Sequence, residues 1–164
     1  MSLTSAPIPP LSSADHVRGT GPLLILYADF ECPYCALLHA RVAGSALRIA
    51  FRHFPVRSKH PRAWAAACAA EAAALQGRFW EMHDALFADQ ARLEDPRLWA
   101  RAERLGLDVA RFEADRRSEQ VLARVRADFD GGVRGGVVTT PSAVLDGALH
   151  SGAEAVQTAV GAAG

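Results

Sequence analysis

The chain has 164 residues, half of them hydrophobic and 22% charged, with Lys+Arg and Asp+Glu balanced at 18 each. That composition suits a single globular domain with a core large enough to need no crosslinks. Its charge balance points away from nucleic acid and from anionic membranes. Three cysteines are too few for a disulfide framework, and no apolar run is long enough for a membrane span.

Residues 1–21 are rich in Pro and Ser and are expected to form an extended N-terminal arm. The start lacks a charged segment followed by an apolar one, so it does not read as a secretory signal. The expected location is therefore cytoplasmic, and extracytoplasmic only if a leader has been removed. "PLLILYADF" is a continuous apolar run, as in a strand buried on both faces. A cysteine pair follows, then a short helix ending near Gly44. "LRIAFRHFP" reads as a second strand stopped by Pro55. Strand, helix, strand describes a parallel pair with a helical crossover.

A long helical region comes next. "HPRAWAAACAAEAAALQG" is alanine-rich and stops at Gly77. "RFWEMHDALFADQ" spaces Phe79, Met82, His83, Leu86 and Phe87 as one helical face. Asp95 is the expected N-cap of a further helix, with Pro96 at its first position. One or two more helices run to the paired glycines, and the arginines of "RRSEQVLARVR" are expected on a solvated face. The period then changes: "VVTTPSAVLDGALHSG" reads as two strands around an Asp146–Gly147 turn, and an Ala-rich helix closes the chain.

The pair Cys32 and Cys35, in "DFECPYC", has three competing readings. A zinc clasp needs two more ligands, and there is no second C-x-x-C and no His pair at finger spacing, although His39 lies one turn after Cys35. A structural disulfide would close a very small loop and constrain little. The redox reading has a mechanism. At a strand end and helix start, free N–H groups and the helix dipole stabilise a thiolate. Cys32, expected to be exposed, then attacks a partner disulfide, and the shielded Cys35 resolves the mixed disulfide. Pro33 at the first turn costs no helical hydrogen bond. Pro141, just before a strand, reads in isolation as a strand-initiating trans proline. In a redox fold a cis proline there leaves the backbone of Thr140 free to pair with a substrate chain.

"DFECPYC", "FRHFPV", "HPRAWAAACAAEAAALQGRFWEMHDALF", "LGLD" and "TTPSAVLDG" together resemble the DsbA-like thiol–disulfide oxidoreductases of the thioredoxin superfamily. The resemblance implies an α/β thioredoxin fold, a central mixed sheet flanked by helices, carrying an inserted all-helical subdomain. In those terms, residues 22–164 are one domain with its insertion at about 60–130. It further implies Cys32 as nucleophile, Cys35 as resolving thiol, Pro33 and Tyr34 as the dipeptide that tunes the potential, and Thr140 and Pro141 as substrate-binding. Substrates would be protein or peptide thiols and disulfides, with glutathione or a thioredoxin-type system as redox partner. The dithiol pair itself would be the only redox group, with no other cofactor, no metal and no nucleic acid. One residue departs from the family pattern: Leu26 stands where a buried acid is usual, six residues before the first cysteine. That leaves Asp29, Glu31 or water to handle the proton of Cys35.

The Pro-Tyr dipeptide is shared with glutaredoxins, so a glutathione-dependent reductase is the nearest alternative. A non-catalytic peptide-binding or chaperone module on the same fold is the next. Among the other candidates, Cys68 reads as a buried small hydrophobe, with a regulatory thiol as the alternative, and His53 and His60 as structural hydrogen-bonding groups or solvent-facing rings, with metal binding or tuning of Cys32 as the alternative. His39 reads as a surface ring, with tuning of the thiolate through its charge as the alternative.

Overall fold

The computed structural model describes residues 6–163. Five strands form one mixed sheet in the order β1-β3-β2-β4-β5: β1 (His16–Arg18), β2 (Leu23–Ala28), β3 (Arg48–His53), β4 (Ser142–Leu145) and β5 (Ala148–Ser151). β2 and β3 are parallel, and all other pairs are antiparallel. Helix α1 (Pro33–Val42) makes the crossover from β2 to β3. Five helices then separate β3 from β4: α2 (Ala63–Ala74), α3 (Phe79–Ala88), α4 (Asp95–Arg104), α5 (Val109–Arg116) and α6 (Glu119–Arg134). Helix α7 (Ala153–Ala163) follows β5.

Alternation along the strands sorts the side chains onto two faces. Leu24 and Leu26 of β2, with Ile49 and Phe51 of β3, join the large core shared with α1, α3 and α7. Ile25, Tyr27 and Ala50 point the other way, to Phe54, Phe129 and the apolar residues Ile8 and Leu11. Cys68 lies between α2 and α6, packed with Val121 and Val125; burial pushes its thiol up to about 11, so it is a poor nucleophile.

The segment expected as an arm contributes the edge strand β1, and its earlier part is tied to the sheet by one buried arginine. Arg52 donates to both carboxylate oxygens of Asp15, to the carbonyls of Pro9 and Pro10, and to the Tyr27 hydroxyl. Residues 1–5 of that arm and Gly164 lie outside the described residues.

The helical region holds three further departures from expectation. Asp95 is the first helical residue of α4 rather than its cap; Glu94 takes the cap position without a side-chain bond. Asp95 instead pairs with Arg116 and Arg117. Arg116, expected in solvent, is buried and also binds Glu113. Helix α6 continues through Gly131 and Gly132 to Arg134. Gly132 serves close packing there, since a Cβ would lie 2.9 Å from a Tyr27 ring carbon. Asp146 (φ 52) and Gly147 (φ 78) make the tight turn between β4 and β5, the backbone that a type I′ hairpin demands.

Candidate active site

β2 delivers the chain to the motif, and Asp29 fixes the loop that leads into the cysteines. Its side chain is buried and fully engaged. Oδ1 accepts from the Glu31 N–H, and Oδ2 accepts from the Val56 N–H and faces His60 Nδ1 at 2.8 Å. The loop before the cysteines is thus tied to the loop after β3. Glu31 reaches sideways and accepts from the Arg62 N–H at the start of α2. Cys32 is the N-cap of α1, with Pro33 in the first turn where no N–H is missed. Gln90, just after α3, donates its amide to the carbonyls of both Phe30 (2.7 Å) and Cys32 (2.8 Å). The helical insertion therefore clasps the motif directly.

Across from the pair, the Thr140–Pro141 peptide bond is cis. Cys32 Sγ lies 3.6 Å from the Thr140 carbonyl oxygen, and the two sulfurs are 3.3 Å apart. The exposure expected of Cys32 is not what the fold produces. Cys32 is 3% exposed and Cys35 2%, because the Thr140–Pro141 segment lies against Cys32, while Pro33 and Tyr34 stand out in solvent.

The two thiols differ sharply in acidity. A hydrogen bond from Cys35, helped by the Thr140 side chain and the backbone N–H groups of the first turn, outweighs burial and holds Cys32 at about 6. Burial, followed by the neighbouring Cys32, pushes the Cys35 thiol well above its ordinary value. At neutral pH Cys32 is a thiolate and Cys35 its hydrogen-bond donor. This is the arrangement in which one sulfur attacks and the other waits.

The structure thus brings together Cys32, Cys35, Thr140 and Pro141, with Pro33 and Tyr34 on the exposed rim. Asp29 and Glu31 sit beside the motif with their oxygens bonded to backbone and to His60. Leu26 lies in the wall of a cavity that Cys35 also lines. Gln90 has no counterpart among the residues expected at the site, because a lone amide 58 residues from its partner leaves no local signal.

A family model, the DSBA-like thioredoxin domain, matches residues 23–163. The chain is 42% identical over 146 residues to the Na(+)/H(+) antiporter NhaA 3 of Salinispora tropica, a match covering 84% of this chain and 22% of that protein. It is 41% identical over 157 residues to the Na(+)/H(+) antiporter NhaA 1 of Salinispora arenicola, covering 89% and 24%. The chain therefore spans under a quarter of the length of these relatives. Among solved structures, a thioredoxin-like oxidoreductase from Silicibacter pomeroyi superposes with a TM-score of 0.78 at 26% identity, covering 93% of each chain. Oxidised BdbD from Bacillus subtilis superposes with a TM-score of 0.77, covering 96% of this chain and 97% of its own; at 15% identity that likeness is one of fold.

Proposed function

The chain belongs to the family of DSBA-like thioredoxin domains, thiol–disulfide oxidoreductases, and from that premise we propose that it oxidises protein or peptide dithiols through the Cys32–Cys35 disulfide. One observation carries the direction: Cys32 is held as a thiolate at about 6 while Cys35 is pushed far up. A stabilised thiolate favours the reduced enzyme and so makes the disulfide form a stronger oxidant. At pH 7, a thiol at about 6 in place of about 8.5 stabilises the dithiol by about 1.4 kcal/mol, about 30 mV of oxidising strength.

In the forward reaction a substrate thiolate attacks Cys32, and Cys35 leaves. A second substrate thiol then displaces Cys32, releasing a disulfide and the reduced enzyme. A redox partner re-oxidises the pair, and no further cofactor is needed. Thr140 offers backbone beside Cys32 for an extended substrate chain. Tyr34 (59% exposed), Leu37 (57%) and Val138 (82%) give the surroundings an apolar character suited to unfolded segments. Asp29 and Glu31 support the motif by holding its loop. This direction fits an oxidising compartment rather than the cytoplasm.

The test is oxidation of a dithiol peptide by the disulfide form, with the potential measured against glutathione. Cys32→Ser is expected to abolish turnover, and the wild-type potential to lie above about −270 mV by an amount on the order of 30 mV. Unchanged turnover in that variant would refute the role of Cys32. Turnover only with glutathione and a small disulfide would favour the glutaredoxin-like alternative.

A further inference from the structure

Cys35 must gain a proton when it leaves Cys32 and lose one when it attacks, yet it is 2% exposed, and the wall behind it at position 26 is a leucine. It opens instead on a cavity of about 440 Å³ whose lining includes Leu26, His39, His83 and Asp84. That is ample room for water, and the polar partners that water needs are present. His39 follows Cys35 by four residues on α1, so the two side chains share one helix face.

The polar groups in the cavity are not equivalent. Asp84 is gripped by both terminal nitrogens of Arg18 (2.9 and 3.1 Å) and faces His83 Nδ1 at 2.9 Å. These partners hold its carboxyl far below the usual range, so it stays an anion. His83 is buried, its pKa pushed down to about 4, and its Nδ1 is committed to Asp84. His39 is different. It is part-exposed, stacks on Phe87 at 5.1 Å, and its Nε2 stands 3.7 Å from Asp84 Oδ1. Burial lowers its pKa, Asp84 acts to raise it and Arg18 to lower it. The charged and titratable groups around it are Cys35 on its own helix, His83 and Asp84 from α3, and Arg18 from β1. From β2 and β3 the cavity receives only Leu26 and Ile49. The carboxylate and the two rings lie close together, but both Asp84 oxygens already accept from Arg18, which leaves neither free for a cation.

We infer that His39, supported by Asp84, exchanges the Cys35 proton through water in this cavity, in place of an acid at position 26. This rests on the redox reading above. When a substrate thiolate attacks Cys32, a substrate–Cys32 S–S bond forms and the Cys32–Cys35 bond breaks. The electron pair of the broken bond stays on Cys35, which takes a proton relayed from His39, and solvent reprotonates the ring. In the reverse step, Cys35 gives up its proton to His39 and attacks Cys32 of the mixed disulfide. The substrate departs as a thiolate, and the enzyme dithiol is the species oxidised.

The experiment follows cleavage of the Cys32–Cys35 disulfide by a peptide thiol in stopped flow across about pH 5 to 9, a span that brackets an imidazole. The proteins are wild type, His39→Gln and His39→Ala, the last with and without added imidazole. A positioned acid–base group contributes about a hundredfold or more, so His39→Gln should slow the cleavage by about that factor and lose the imidazole-like inflection. Imidazole should restore His39→Ala, while alkylation of reduced Cys32 keeps its wild-type rate and pH dependence in both variants. An unchanged rate and profile in His39→Gln overturns the inference. So does a slowed His39→Ala that imidazole fails to rescue, which would mark a packing role. If the wild type itself does not exchange disulfides, the redox reading has failed instead.

Discussion

Two histidine–carboxylate–histidine groups flank the same pair of rings, Phe51 and Phe79, and one of them shares a cavity with Cys35. In the first, Glu71 Oε1 meets His16 Nε2 at 2.8 Å and His53 Nε2 at 2.7 Å, and His16 stacks flat on Phe79. This group joins α2 to β1 and β3. In the second, Asp84 holds Arg18 and His83 closely and leaves His39 at 3.7 Å, with open space between that ring and Cys35. Both groups set two imidazoles around one carboxylate, and the physics differs. Short bonds that tie a buried acid to two strands stabilise a fold. A ring kept slightly apart from its carboxylate, beside a cavity and a reactive sulfur, can take up and release a proton.

The largest effect that separates the two groups should come from Glu71→Ala. Removing the acceptor that His16 and His53 share leaves their Nε2 donors unsatisfied, at about 1 to 3 kcal/mol each, read as a lower urea midpoint. The pH profile of disulfide cleavage in the surviving folded protein should stay as in wild type. A moved profile would erase the distinction between the two groups.

His83 gives the next largest effect. Its folded pKa, about 4, lies below the unfolded value of about 6.5, so the unfolded chain binds the proton first. Stability is full above the unfolded pKa and falls as pH drops from about 6.5 towards 4, by roughly 3 kcal/mol. His83→Phe should remove that share of the acid sensitivity. An identical decline in the variant would assign it elsewhere.

The smallest stability effect belongs to Asp84→Asn. The carboxylate is half exposed and its pairing with Arg18 is of the surface kind, so the midpoint should move by less than about 1 kcal/mol. The cleavage profile should nevertheless shift to lower pH, because His39 loses the charge that favours its protonated form. A large stability loss with an unmoved profile would make Asp84 structural, like Glu71.

The parts of the fold carried by local pattern are legible in the residues themselves. The apolar run of β2, the alanine-rich α2 and the Asp146–Gly147 turn are of this kind. Features that need a distant partner are not. β1 is three polar-rich residues whose strand character comes from pairing with β3. Arg116 looks like a surface charge until Asp95 and Glu113 close around it. Gly131 and Gly132 look like a helix stop, yet Tyr27 demands a residue without a side chain at Gly132. In the site, the C-P-Y-C spacing announces the chemistry, while the segment that lies against Cys32 comes from 108 residues away. His39 stands out in the sequence by its nearness to the motif. Its neighbours His83 and Asp84 arrive on another helix; periodicity puts His83 on the inward face of that helix but does not place it beside His39.

Gln90 sets a rule for anyone recombining such domains. Its single amide grips the carbonyls on either side of Glu31, so the helical insert and the redox loop are cut as matched pieces. A chimera that exchanges the insert with a relative's must carry an equivalent two-pronged donor across the junction. Otherwise the borrowed helices will fold beside a loop they no longer hold in register.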